Sequence, residues 1–524
     1  MITVGLTGKY QMNTFDPTVI IPTAGNGSRL GKYSKTLNKA LLPYNQMPII
    51  GHIIERWPEK TNFIIPTGYL SQQIKDFCAL TYPDKNITFL DVDWESEKAG
   101  TGFTLLQCED YVKEGFWYVP CDTYFNENVI QNKSDEDLIF VKEVPENSSV
   151  SYTMILCKNN RIEDISFKQF KPKNWKAFSG LMYIADNKKF FSRLKNVNNV
   201  EFIDAIELQS RCVELDSWID FGTCDNYESK LNERENFDFS KENEITYICN
   251  SNVTKWWADN SIAEKKYNKT TQQKNIFPKN CRFINNYMSY DLFEGKTLYE
   301  INDFKHFKNL LFWLEKNVWI ESSNDITLES IMFYKNKTLD RVNKFLNKYP
   351  NIENVDFVDN VRVKNLNYYL DSIDWDFLSK ETLPGFIHGD LQFDNIIMHD
   401  SGEFKIIDWR HEFAGLVETG DIYYDLAKML GGFVINYLDV KNNKFGIELT
   451  NGSVNLNTPN IKDYEKYENF LQQYVLNKGW NFDKIKLLVP IIFLNMSPLH
   501  VAPFDKFLWY LSIKLFQEFE NEHD

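Results

Sequence analysis

The sequence predicts two α/β domains in series, and three observations carry that prediction. At 524 residues the chain exceeds one ordinary core. Between about residues 17 and 150, short apolar runs alternate with helix-like stretches, the pattern of βαβ units and a mostly parallel sheet flanked by helices. A charged stretch without an apolar period, ESKLNERENFDFSKENE at 228–244, then separates this half from one of a different kind. There a few early strands give way to long apolar helical segments such as 304–319 and 504–519, an α+β pattern. The expected domains are 1–235 and 245–524, with a linker at 236–244.

Within the first half the runs TVIIPT, NFIIPTGY, ITFLDVD and FWYVPCD are the expected strands. Hydrophobic residues are 43% and aromatics 15% of the chain, which supplies apolar area for both cores and excludes global disorder. A formal net charge of -15 argues against duplex nucleic acid as a partner, because neutralising phosphates needs a basic surface. The opening residues lack a basic segment followed by an apolar core, and no long uninterrupted apolar run occurs, so a cytoplasmic protein without a membrane span is expected. Eight cysteines without a C-x-x-C read as reduced structural thiols. Oligomeric state has no signature here.

Chemistry enters at the end of the first strand. After Val19-Ile20-Ile21, the segment PTAGNGSRLGKYSKTLNKALLP places Gly25, Gly27 and Gly31 in one loop. Glycines let backbone N–H groups approach a nucleotide closely. A flexible loop would also look so, but Arg29 and Lys39 add two cations suited to a triphosphate. The spacing fits neither a Walker loop nor a dinucleotide fingerprint.

The segment resembles the sugar-phosphate nucleotidyltransferase superfamily, with its strand, G-x-G-x-R loop and lysine about ten residues later. GTGFTLLQC at 100–108 looks like that family's base-recognition segment and brings in Gly100 and Thr101. YVPCDTYF puts Asp122 at the family's metal-binding Asp, and WIDFGTCDNY puts Asp220 at the second. The resemblance implies a Rossmann-like domain that transfers a nucleotidyl group from an NTP to a phosphate monoester, with Mg²⁺ or a substituting Mn²⁺ on the two carboxylates. Arg29 would face the leaving pyrophosphate, and Lys39 the transferred phosphate. Two positions depart from the pattern: Asn38 stands where the family often has Pro, and Phe170-Lys171-Pro172 where it has Glu-Lys-Pro. Lys171 is the candidate for the acceptor phosphate.

The second half carries FIHGDLQFDNIIMHDSGEFKIIDWR. It resembles the aminoglycoside phosphotransferase and choline kinase superfamily, H-G-D-x-x-x-x-N followed by a hairpin and a metal-binding Asp, which implies a bilobal protein-kinase-like domain. Asp390 would orient the acceptor hydroxyl, and Asn395 and Asp408 would bind metal. His388 supports the loop, Asp394 is expected as a solvated loop residue, and Asp421 and Asp425 are expected to brace the loop by hydrogen bonds. Upstream, Lys255 is the candidate for the nucleotide phosphates and Glu264 its helical partner. Trp256, Trp257 and Trp509 could form a cage for a quaternary amine but read more readily as core.

A kinase makes a phosphate monoester and a nucleotidyltransferase consumes one. The two resemblances together imply that ATP phosphorylates a small hydroxyl compound and a second NTP then activates it. A sugar bound for a surface polysaccharide is the first candidate, choline, ethanolamine or another small alcohol the second. A third reading keeps one half as an inactive nucleotide-binding module.

Overall fold

The computed structural model describes residues 16–126, 134–196, 201–233 and 243–523. The linker expected at 236–244 lies outside the described residues except for 243 and 244. By packing, residues up to 233 form the first compact unit together with 245–255, and residues from 256 onward form the second.

In the first unit the four expected runs become β1 (Thr18–Ile20), β2 (Asn62–Thr67), β3 (Asn86–Asp91) and β4 (Phe116–Tyr118). They lie parallel in the order β3-β2-β1-β4. Val19, Ile20, Phe63, Ile64 and Ile65 are at most 3% exposed, which explains continuous apolar runs where a one-sided sheet would alternate. Helix α1 (Ser71–Thr81) turns Ile74, Phe77 and Cys78 inward at helical spacing. Beyond β4 the sheet continues through later strands of mixed direction, beginning with the antiparallel strand Trp175–Ile184. A separate ribbon pairs β5 (Thr123–Phe125) with β6 (Trp218–Asp220), with Thr123 opposite Asp220.

Residues 245–255 belong to this unit through polar anchors in its core. Tyr247 Oη donates to Leu41 O at 2.6 Å, and the Thr254 and Thr81 hydroxyls lie 2.9 Å apart.

The second unit begins with α2 (Asn260–Gln272), N-capped by Asp259, and an antiparallel hairpin of Arg282–Ile284 with Tyr287–Asp291. Helices α3 (Phe304–Asn317), α4 (Lys337–Lys348), α5 (Ile422–Val434), α6 (Phe482–Met496) and α7 (Phe504–His523) follow. Helix α5 is buried along its whole length, and α6 packs against both α5 and α7. The hairpin expected after the kinase-like loop is present as Ile396–Met398 with Phe404–Ile406.

All eight cysteines are free thiols. Trp256, Trp257 and Trp509 are at most 4% exposed and belong to cores. Among the described residues no helix is long and apolar enough to cross a membrane.

Candidate active sites

In the first unit a cleft of about 510 Å³ gathers Gly25, Arg29, Lys39, Gly100, Thr101, Asp122 and Asp220, which lie up to 195 positions apart in sequence. The loop after β1 supplies Gly25 and Arg29, Gly100 and Thr101 open the short helix Thr101–Leu106, and the β5–β6 ribbon supplies the carboxylates. Asp122 immediately precedes β5, Asp220 ends β6, and Phe221 N donates to Asp122 O at 2.8 Å.

Lys39 Nζ sits 2.7 Å from Asp122 Oδ2, with side chains 19% and 14% exposed. Burial works against both charges, but the pair's mutual attraction outweighs it, holding Lys39 above the usual lysine range and Asp122 below the usual carboxylate range. Asn38, where the family often has Pro, explains its own departure. Its Nδ2 donates to Thr23 O at 3.1 Å and Tyr69 O at 2.7 Å, while its Oδ1 accepts from Ala40 N at 3.0 Å. It caps the 3₁₀ turn Lys39–Leu41 and so fixes where Lys39 starts.

Asp220 is shifted the other way, upward, by burial and then by the charge of Asp122, against a hydrogen bond from Gly222 N to its Oδ1 at 2.8 Å. Gly222 is a site residue that the motif contained but that sequence reasoning passed over. A Cβ there would stand 2.9 Å from Asp220 Oδ1, 3.2 Å from Arg29 Nη2 and 3.3 Å from Asp122 Oδ2. Three charged atoms therefore converge on one corner that only glycine leaves open. Two part-buried carboxylates facing one corner fit a hard divalent cation. Among the described residues no group of three or more His, Cys, Asp or Glu forms a metal cage, so water and phosphate oxygens would complete the shell of such an ion.

Not every candidate is in the cleft. Gly27, at φ +63, shapes the turn beside Lys39 but is not part of the lining. Lys171 also lies outside the lining, its Nζ 4.2 Å above the Trp175 ring. Lys168, just past the end of the strand Arg161–Phe167 and at φ +45, does line the cleft. Glu201, Tyr152 and Trp218 line it too, and Glu201 accepts a hydrogen bond from the Thr101 hydroxyl.

In the second unit the loop 388–395 is tied from several sides. Asn395 Nδ2 donates to Asp390 O at 2.8 Å, and Ile407 N donates to Asn395 O at 2.9 Å, which brings Asp408 alongside. Asp408 adopts φ +57, a costly conformation for a residue with a Cβ. Asn395 spends its NH₂ on the loop, and its amide oxygen together with the Asp408 carboxylate would make a donor set that Mg²⁺ accepts. His388 is fully buried, bonds Ile407 O through Nε2 at 2.7 Å and accepts Asp390 N at Nδ1 at 3.1 Å. Burial pushes it down to about 3, so it is a neutral strut.

Asp425 accepts His388 N at 2.8 Å, Gly389 N at 2.7 Å and Trp319 Nε1 at 3.1 Å. Asp421, expected to brace the same loop, instead caps α5 and pairs with Lys484 Nζ at 2.7 Å. It precedes the helix, so its carboxylate turns toward that helix's own N-terminus. Asp394 is likewise corrected: its Oδ1 is buried without a hydrogen-bond partner among the described residues, and burial raises its pKa.

Lys255 is buried in the strand Asn252–Trp257, and Glu264 is exposed on α2. The inward face of α2 carries Ala263, Lys266 and Lys269. Lys266 Nζ donates to Trp409 O, and Lys269 Nζ donates to Arg410 O at 3.2 Å. Sequence reasoning also missed Lys428, whose Nζ lies 2.8 Å from Asp390 Oδ1.

Residues 362–446, which include Asp390, Asn395 and Asp408, match the model of the phosphotransferase enzyme family. A bifunctional protein GlmU of Methanocaldococcus jannaschii is 30% identical over 174 residues, 33% of this chain and 40% of that protein. The corresponding protein of Methanococcus aeolicus is 26% identical over 198 residues, 36% of this chain and 46% of its own. The chain thus spans less than half the length of these relatives. Among solved structures, a CTP:phosphocholine cytidylyltransferase from Streptococcus pneumoniae shares 19% identity, covering 41% of this chain and 97% of that one with a TM-score of 0.36. A UDP-glucose pyrophosphorylase from Acinetobacter baumanii shares 18%, covering 41% and 92% with a TM-score of 0.35. Residues 362–446 are thus similar to the phosphotransferase enzyme family, and about a third of the chain is similar to the GlmU proteins.

Proposed function

We propose that the chain is a bifunctional enzyme that phosphorylates a small hydroxyl compound with ATP and then joins a nucleotidyl group to that phosphate. In the first reaction the acceptor oxygen attacks the γ-phosphorus of ATP, the bond to ADP breaks, and the hydroxyl proton passes toward Asp390. Asn395 and Asp408 would hold Mg²⁺, while Lys255, expected to meet the nucleotide's other phosphates, packs with the first unit. Glu264, on the exposed face of α2, would act only by positioning.

In the second reaction an oxygen of the new phosphate attacks the α-phosphorus of an NTP and pyrophosphate leaves. Arg29 neutralises charge on the leaving group, Lys39 orients the transferred phosphate, and the loop glycines Gly25 and Gly27 allow close backbone approach. Asp122 and Asp220 would hold Mg²⁺, which supplies charge neutralisation between attacking and leaving oxygens. Gly100 and Thr101 face the nucleotide. Lys168 and Lys171 compete for the acceptor phosphate, with Lys168 favoured by its place in the lining. The product is an NDP-activated building block.

The observation that carries this reading is the gathering of Arg29, Lys39, Asp122 and Asp220 in one cleft of a chain that also holds a phosphotransferase-family loop. The test is to incubate the full chain with Mg-ATP, a mixture of NTPs and a panel of alcohols, and to read product masses. ADP, pyrophosphate and an NDP-linked product are expected; pyrophosphate without any phosphate acceptor, or no ADP with any alcohol, would refute it.

A further inference from the structure

The surroundings of Asp390 are strongly cationic. Lys428 Nζ is already paired with its Oδ1 at 2.8 Å. Lys337 Nζ lies 3.3 Å from the centroid of the Phe333 ring, and Arg410 Cζ lies 4.8 Å from the same centroid. The stem of Arg410 presses on the loop beside Asp390: a Cβ at Gly389 would stand 2.5 Å from Arg410 Cβ. Arg341 follows Lys337 by one turn on α4, and its Nη1 is buried without a hydrogen-bond partner among the described residues. Burial, then Arg410, Arg341 and Lys428, hold the Lys337 ammonium well below the ordinary lysine range.

A structural role alone would leave a different pattern. Elsewhere in this unit buried lysines find an oxygen to donate to: Lys484 meets Asp421 at 2.7 Å, Lys266 meets Trp409 O and Lys269 meets Arg410 O at 3.2 Å. Among the described residues no carboxylate stands within ion-pair distance of Lys337, Arg341 or Arg410. Crowding like charges in a partly desolvated site is costly unless an anion completes it.

We infer that the alcohol phosphorylated by this unit carries an anionic group, a carboxylate or a phosphate, which Lys337, Arg341 and Arg410 hold while its hydroxyl meets Asp390. This rests on the kinase reading above and names the substrate class of that site. A choline-like cation would be disfavoured there, since Arg410, Arg341 and Lys428 all crowd Lys337 with positive charge. A guanidinium beside an ammonium suits a planar or tetrahedral oxyanion.

The test supplies the full chain with Mg-ATP and four sets of alcohols, namely hydroxy acids, alcohol phosphates, neutral polyols and amino alcohols, and measures ADP release and product mass. Anionic alcohols are expected to exceed neutral ones of the same size by about a hundredfold in kcat/KM, as for loss of a charged hydrogen-bonded contact. The first two sets separate a carboxylate from a phosphate. Arg341→Met and Lys337→Met should raise the acceptor KM roughly tenfold or more while the KM for ATP stays the same, and Arg341→Lys should recover part of the loss. Preference for a neutral or amino alcohol, or a rise in the ATP KM instead, would overturn the inference and leave the kinase reading standing. Phosphorylation of no alcohol at all would overturn both.

Discussion

The two sites solve opposite electrostatic problems. In the first unit Lys39 holds Asp122 ionised, while burial and then the Asp122 charge push Asp220 toward neutrality. In the second, cations outnumber the carboxylate they surround, and Lys337 is the group pushed toward neutrality. In the first site Lys39 already pairs with Asp122, which leaves Asp220 as the charge a metal ion would stabilise, whereas the second calls for an anionic ligand. Reading which charge is in excess therefore says more about a site's missing component than the motif that names the reaction.

Substituting Asp390→Asn attacks the second site at its one acceptor-facing carboxylate, and the largest effect is expected there. Phosphoryl transfer should fall by about a thousandfold or more, while nucleotidyl transfer to a supplied phosphate monoester continues unchanged. Measuring ADP and pyrophosphate separately checks this. Parallel loss of both in a folded variant would mean that the chemistry is not divided between the units.

Arg29→Ala tests the first site in the same way. Loss of one preorganised contact costs about 3 kcal/mol, roughly a hundredfold in pyrophosphate release, with ADP release untouched. A defect confined to ADP release would assign the glycine loop to the other reaction.

A smaller and sharper effect is expected from Gly222→Ala. The added Cβ would stand 2.9 Å from Asp220 Oδ1 and 3.3 Å from Asp122 Oδ2, so both carboxylates must shift by tenths of an ångström. Nucleotidyl transfer should drop by roughly tenfold, since modest misplacement of reacting groups is enough, and the Mg²⁺ concentration for half-maximal rate should rise. Unchanged metal dependence would show that the corner formed by Gly222 is not where the ion binds.

How far the sequence carried depended on whether the determining contact was local. Strands β1 to β4 were legible because burial on both faces writes an unbroken apolar run. Arg29, Lys39, Asp122 and Asp220 were picked out as one set only by the motifs of the resembled family, since Asp220 ends β6, far in sequence from β1 to β4. The inward face of α2 was not, since Lys266 and Lys269 look like a solvated stripe until Trp409 and Arg410 offer them carbonyl oxygens. Lys168 and Lys171 differ only in where the strand ends, a boundary that spacing leaves open by a few residues. Residues 245–255 pack with the first unit through Tyr247 and Thr254, whose partners Leu41 and Thr81 are distant in sequence.

Asn38 offers the finest test of how rigidly the first site holds its cation. Its backbone, at φ -62 and ψ 136, already has the conformation that proline imposes, so Asn38→Pro fits without bending the chain. The ring would remove the N–H that donates to Gln73 Oε1 at 2.9 Å and the side-chain bonds to Thr23 O and Tyr69 O. Each such bond contributes about 1 kcal/mol net, partly offset by about 0.4–1 kcal/mol from the stiffer unfolded chain. The variant should therefore lose about 2–3 kcal/mol of stability yet keep nucleotidyl transfer within a few-fold, because the ion pair with Asp122 also locates Lys39. Chemical denaturation and pyrophosphate release, measured on the same protein, separate the two. A rate loss as large as that of Arg29→Ala, with stability unchanged, would show that the Asn38 cap and not the Asp122 ion pair sets the position of Lys39, and that this site depends on its loop more than on its charges.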